Sequence, residues 1–189
     1  MKTLLILFII FIYIFLFYNN NEFVYIEDNF EGTRYLVQKS TKEESMKILT
    51  EITKRLYRLR SYLIENINNN LEFKPYIDRL QKGFNNTRTT IMENSSTSDN
   101  TSYNINKGEE LVFCLKSKKT GKFHDINLLM YVAIHEIAHI ACPVIGHGEL
   151  YQKIFKFFID MAEKINIYKR VNYNEKPTEY CGMMLTTSV

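Results

Sequence analysis

The stretch His135-Glu136-Ile137-Ala138-His139, followed by Gly146-His147-Gly148, decides how this chain is read. On a helix, residues four apart lie one above the other on the same face. His135 and His139 therefore aim two imidazoles at one point. Glu136 stands about a hundred degrees round from His135, beside that point rather than on it. Two ring nitrogens with a carboxylate next to them suit a metal ion and a base that takes a proton from water beside it. Leu128, Leu129, Val132, Ile134, Ile137, Ala138 and Ile140 make the helix apolar nearly all round, so it is expected to be buried. Asp125 is its expected N-cap. Pro143 ends it and pushes Cys142 out of helical geometry.

A catalytic zinc takes three protein ligands and keeps one position for water. His147 is the expected third ligand. Gly146 and Gly148 permit the reversal that brings it back to the helix. Glu163 and Glu149 are the alternatives, one far downstream, the other close but badly aimed. A second apolar-periodic segment follows at Leu150, Tyr151, Ile154, Phe157, Phe158 and Met161, so His147 stands at the start of a helix that packs on the first. His124 lies before the N-cap without a matching partner and is expected to be a loop or supporting residue. The bland alternative is a satisfied core histidine pair without metal. Four histidines in 189 residues make a chance match rare, and the apolar helix and glycine-flanked His147 weigh further against it.

The run from Val132 to Ile140 with Gly146-His147-Gly148 resembles the WLM and SprT-like minigluzincin metallopeptidases, in which a third histidine follows the H-E-x-x-H helix closely. It is also similar to WLM-like proteins of large DNA viruses, through Asp125, Asn127 and Leu128 before the helix and Tyr180-Cys181-Gly182 near the C-terminus. It departs from the metzincin pattern, which has glycine where Cys142 stands and histidine where Ile145 stands. The resemblance runs from about Tyr103 to Gly182, and the zinc motif is its specific part. It implies a zincin-like α+β fold, a Zn2+ ion on His135, His139 and His147, and Glu136 as general base in peptide-bond hydrolysis. By the same analogy an edge strand beside the helix holds an extended peptide, and the segment Leu111–Leu115 is the candidate. Tyr168, Tyr173 and Tyr180 are unranked candidates for holding an anionic intermediate.

Residues 3–21 carry no charge, and as a helix they would span about 28 Å, close to the bilayer hydrocarbon thickness. Bulky aromatics run to the end of the segment with no small-x-small cleavage site. An uncleaved signal-anchor over 1–21 is therefore expected, with a cleaved signal peptide or a buried helix as the alternatives. Residues 22–38 read as a linker ending in a short strand at 34–37, and 39–189 as the metallopeptidase domain. Ser40 with Glu43, or Thr41 with Glu44, offers a capping box. Met46, Leu49, Ile52, Leu56, Leu59 and Leu63 then mark a long amphipathic helix to about Asn66. Pro75 suits the first turn of a shorter helix through about Lys82. Residues 83–101 are polar and read as an exposed loop. Two short strands follow, at 103–105 and 111–115, around a Lys107-Gly108 turn.

Composition sets the remaining bounds. The net charge of +3 is spread rather than clustered, which does not argue for nucleic acid. The basic face Lys47, Lys54, Arg58 and Arg60 reads as solvated. Cys114, Cys142 and Cys181 form no zinc-finger spacing and allow one disulfide or three buried thiols. Sequons at Asn85, Asn94 and Asn100 arise readily in a chain this rich in Asn, Ser and Thr. The expected protein is a membrane-anchored zinc metallopeptidase with a protein or peptide substrate: a small antiparallel sheet packed on helices, with the cleft beside helix 128–140. The rivals are a membrane-anchored structural or virion protein with a structural or inactive zinc site, and a protease acting on DNA-crosslinked proteins.

Overall fold

Alternating apolar residues in a short run make β2 (Arg34–Gln38), whose Tyr35 and Val37 are fully buried. The structure, a computed structural model, describes residues 6–13, 22–28, 30, 32–95 and 97–187. β1 (Phe23–Glu27) pairs antiparallel with β2, Tyr25 opposite Leu36. The stretch 22–38, expected as a linker with one strand, thus supplies two paired strands of the main sheet. The amphipathic helix follows as α2 (Lys42–Glu65), its Leu49, Ile52, Leu56, Leu59 and Leu63 forming a buried stripe. The capping box is absent. Thr41 makes no cap bond, because its hydroxyl meets Ser45 and accepts from the Lys116 ammonium. α3 (Lys74–Gly83) starts on Pro75 as expected.

The polar stretch after α3 is not wholly a loop. Thr90–Glu93 forms β3, which lies between β2 and a later strand. Its two apolar residues gave no strand signal within a polar run, and its Glu93 is buried. Glu93 is compensated: Lys116 pairs with it at 2.9 Å and the Gln38 amide donates to it at 2.9 Å. β4 (Tyr103–Ile105) and β5 (Glu110–Phe113) pair antiparallel around a turn in which Asn106, Lys107 and Gly108 all have positive φ. The sheet order is β1-β2-β3-β5-β4, with β2, β3 and β5 parallel. The small antiparallel sheet expected from local patterns is therefore a mixed, five-stranded one. β5 is interior, so the segment 111–115 cannot offer a free edge, and β4 is the edge strand on that side, with β1 at the other.

α4 (Ile126–Ala141) is capped by Asp125, whose carboxylate accepts from the Asn127 and Leu128 amides. Cys142 turns extended before Pro143, as the proline demands. Leu129, Met130, Ala133, Ile134, Ile137 and Ala138 have no exposed surface, as expected for a central helix packed by α2, α3 and α5 (Glu149–Lys164). A second hairpin, β6 (Thr178–Tyr180) with β7 (Met183–Leu185), turns on Cys181 and Gly182, both at positive φ. That is the backbone of a tight two-residue hairpin turn. A disulfide joins Cys181 to Cys114, with Cα atoms 6.1 Å apart, while Cys142 stays a buried free thiol.

Among the described residues no membrane-spanning helix of the kind expected over 1–21 is found. The described part of that stretch is the helix α1, residues 6–13, and no helix among the described residues is long and apolar enough to cross a membrane. Residues 1–5 and 14–21 lie outside the described residues.

Candidate active site

The pitch of α4 brings His135 and His139 onto one face, and the 142–148 loop returns His147 to them. Their Nε2 atoms form a triangle: 3.1 Å from His135 to His139, 3.0 Å from His139 to His147, and 3.2 Å from His147 to His135. Gly146, at φ +90, makes the reversal that the glycines suggested. Tetrahedral ligation at usual zinc–nitrogen lengths would set such nitrogens about 3.3 Å apart, so the donor set fits zinc. A neutral imidazole has one N–H, so three converging nitrogens cannot satisfy one another without a shared cation. Burial above all, and then the neighbouring imidazoles, pushes His135 down to about 3. Burial, then His147 and Lys107, pushes His139 down to about 4. Both rings are thus neutral at physiological pH, the form that binds a metal. Among the described residues, these three histidines are the group placed to hold an ion.

Glu136 sits beside the triangle with only 4% of its surface exposed. Burial pushes its carboxyl up to about 7, against the pull of one hydrogen bond. That bond comes from Asn104 on β4, whose Nδ2 donates to Oε2 at 2.9 Å. A carboxyl near neutrality can both accept and return a proton at working pH.

Tyr151 of α5 backs the histidines. Its ring stacks on His139 with centroids 4.2 Å apart, and its hydroxyl donates to the His135 carbonyl at 3.2 Å. Its place in the apolar stripe of α5 marked it as packing, and nothing in the sequence showed that the packing is on the histidines. Asn104 carried no signal at all, since its role depends on which strand lies at the sheet edge.

The other sequence candidates lie elsewhere. Glu163 is taken by Arg170, accepting from its amide at 3.0 Å and from its Nε at 2.8 Å. Glu149 is exposed at the first turn of α5, outside the histidine group. His124 is a support, accepting from the Cys181 amide at 3.1 Å beside the disulfide. Tyr168 and Tyr173 pack with Tyr131, at 6.1 and 4.9 Å between centroids. Of the three tyrosine candidates, Tyr180 lines the cleft, its hydroxyl hydrogen-bonded with that of Ser102.

That cleft holds about 790 Å³ and contains all three histidines and Glu136. Tyr103 and Asn104 of the edge strand form one side. Tyr131 and Val132 of α4 and Tyr180, Met183 and Leu185 of the second hairpin give it an apolar wall. Ile145, 95% exposed, stands at its rim.

An H-E-x-x-H helix, a third histidine from the following loop and a mixed sheet with its edge at the cleft make up a candidate metal centre. Comparison with known proteins places the chain. It is 45% identical over 168 residues to an uncharacterised protein of Acanthamoeba polyphaga mimivirus, covering 87% of this chain and 83% of that one. It is 30% identical over 152 residues to one of Invertebrate iridescent virus 6, covering 71% and 84% respectively. The chain belongs to the family formed by these large-DNA-virus proteins. Its fold is similar to that of Wss1 from Saccharomyces cerevisiae, with a TM-score of 0.50 and 18% identity over 69% of this chain and 87% of Wss1. That likeness is one of fold alone. No family model matches the chain.

Proposed function

We propose that this protein is a zinc-dependent metallopeptidase that cleaves extended polypeptide laid along the outer edge of β4. The observation that carries the reading is the Nε2 triangle with the buried Glu136 beside it in one open cleft. His135, His139 and His147 would hold the ion. Zinc, when bound, polarises the scissile carbonyl and makes water a stronger nucleophile. Glu136 removes a proton from the attacking water as the new C–O bond forms. It passes that proton to the amine nitrogen as the C–N bond breaks, so the carboxylate is restored. Asn104 holds that carboxylate in place through its amide. β4 ends the sheet, and among the described residues no strand pairs with its outer edge, which supports backbone pairing with substrate.

The lining also favours a substrate class. Besides the histidines and Glu136, the charged group of the cleft is Lys107, whose ammonium is already donating to backbone carbonyls. A charged substrate side chain would go unpaired against Tyr131, Val132, Met183 and Leu185, so bulky apolar residues beside the cleaved bond are preferred.

The test is elemental analysis of the purified protein, with cleavage of an unstructured polypeptide mapped by mass spectrometry. Wild type should carry one zinc per chain and His135→Ala none. Glu136→Gln should keep its zinc and lose turnover by about 10²–10⁴-fold. A Glu136→Gln protein as active as wild type would end this mechanism. Zinc bound without any cleavage would mean that the metal is structural.

A further inference from the structure

Helix α4 ends on a proline, and that leaves a problem at a ligand. In a continuing helix the carbonyl of His139 would accept from the amide of residue 143. Residue 143 is proline and has no N–H. The Lys107 ammonium fills the gap, donating to the His139 carbonyl at 2.8 Å. The same nitrogen donates to the Cys142 carbonyl at 2.9 Å and reaches that of Val144 at 3.4 Å. One lysine thus holds the backbone of the second histidine and of the loop that leads to the third. That loop is otherwise outward-facing, with Val144 and Ile145 exposed. On its far side the Gln152 amide donates to the His147 carbonyl at 3.3 Å.

Lys107 is itself held firmly. It sits at φ +55 in the β4–β5 turn, next to Gly108 at φ +108. A Cβ on Gly108 would lie 2.2 Å from the Gly83 carbonyl oxygen, and one on Gly83 would lie 2.4 Å from Ile140 of α4. The turn is therefore seated directly between the ends of α3 and α4. The Thr89 hydroxyl, donating to the Gly108 carbonyl at 2.8 Å, and Arg88, donating to that of Asn106 at 2.8 Å, fasten it there. A cation at a helix C-terminus also suits the helix dipole.

We propose that Lys107 is a positioning residue for the metal site: it replaces the amide that Pro143 lacks and fixes the spacing of His139 and His147. The inference concerns metal binding and stands apart from the peptidase reading. Zinc affinity would be measured by chelator competition on the full chain, with folding checked by circular dichroism. Lys107→Met should weaken zinc about 10–100-fold, the usual effect of losing a partner that orients a ligand. Lys107→Arg, which keeps a cationic donor, should recover most of the loss. Lys116→Met is the control: it breaks the Glu93 pair elsewhere in the sheet and should leave zinc affinity unchanged even if it lowers the melting temperature. Should Lys107→Met fail to fold, Lys107→Gln is read by the same criterion. Wild-type zinc affinity in a folded Lys107→Met or Lys107→Gln protein, or an equal loss in Lys116→Met, would overturn the proposal. Zinc binding by all of these proteins without peptide cleavage would leave it standing while removing the peptidase reading.

Discussion

Glu136 is held in the core at a cost that should be measurable. Its carboxyl is pushed up to about 7 by burial, against an ordinary carboxylate range well below that. A carboxyl with a raised folded pKa binds its proton more tightly in the native state than in the unfolded one. Its contribution to stability is therefore greatest below the unfolded value, and it is lost as pH rises through about 7. Glu136→Gln should then stabilise the metal-free protein at pH 8, by on the order of 3 kcal/mol. The gain should fade as pH falls toward about 3.5, where Glu136 is protonated in both states. Urea titrations of both proteins at the two pH values check this, and a constant difference would contradict it. At His147 the expectation is simpler. His147→Ala should bind zinc far more weakly or not at all, since Glu163 is bound to Arg170 and cannot replace it. The clustering of these histidines was legible in the sequence because helical periodicity and two glycines define their directions without help from the rest of the fold. Asn104 and Lys107 were not, because each acts across a gap of more than thirty residues on α4.

At the scale of elements, the second hairpin is the part of the cleft wall held covalently. Cys181 in its turn is tied to Cys114 at the end of β5, and His124 accepts from the Cys181 amide. Reduction, or Cys181→Ser, should cost about 2–5 kcal/mol of stability by freeing a long loop in the unfolded chain. Denaturant melts with and without a thiol reductant measure it, and they should coincide for Cys181→Ser. Removing Cys142, a free thiol, should give no such redox dependence. The widely spaced cysteines could not show this pairing, since proximity across 67 residues is a tertiary fact. α4 is the contrary case. Its cap at Asp125 and its stop at Pro143 were both readable, because they are local hydrogen-bonding and steric effects.

For the molecule as a whole, the proposed zinc would be coupled to the fold. The native triangle of nitrogens is absent from an unfolded chain, so bound zinc stabilises the native state by mass action. Free zinc at a hundred times its dissociation constant should add about 2.7 kcal/mol, and a chelator should remove it. The shift in melting temperature should vanish in His147→Ala. A shift of the same size in that variant would mean that the ion sits elsewhere. The expected anchor over 1–21 has no spanning helix among the described residues.

The sequence by itself pointed to the histidine cluster, the helix that carries two of its members and that helix's cap and stop, because each depends on spacing within about a dozen residues. Only the tertiary structure decided the parallel pairing of β3 between β2 and β5, which a buried, ion-paired Glu93 hides from any local pattern. It alone made β4 rather than β5 the edge that faces the cleft, joined Cys114 to Cys181, and carried Lys107 to the end of α4. The physical reason is common to all four. Each is a contact between residues far apart in the chain, and the energy that selects it comes from burial and pairing in the assembled core.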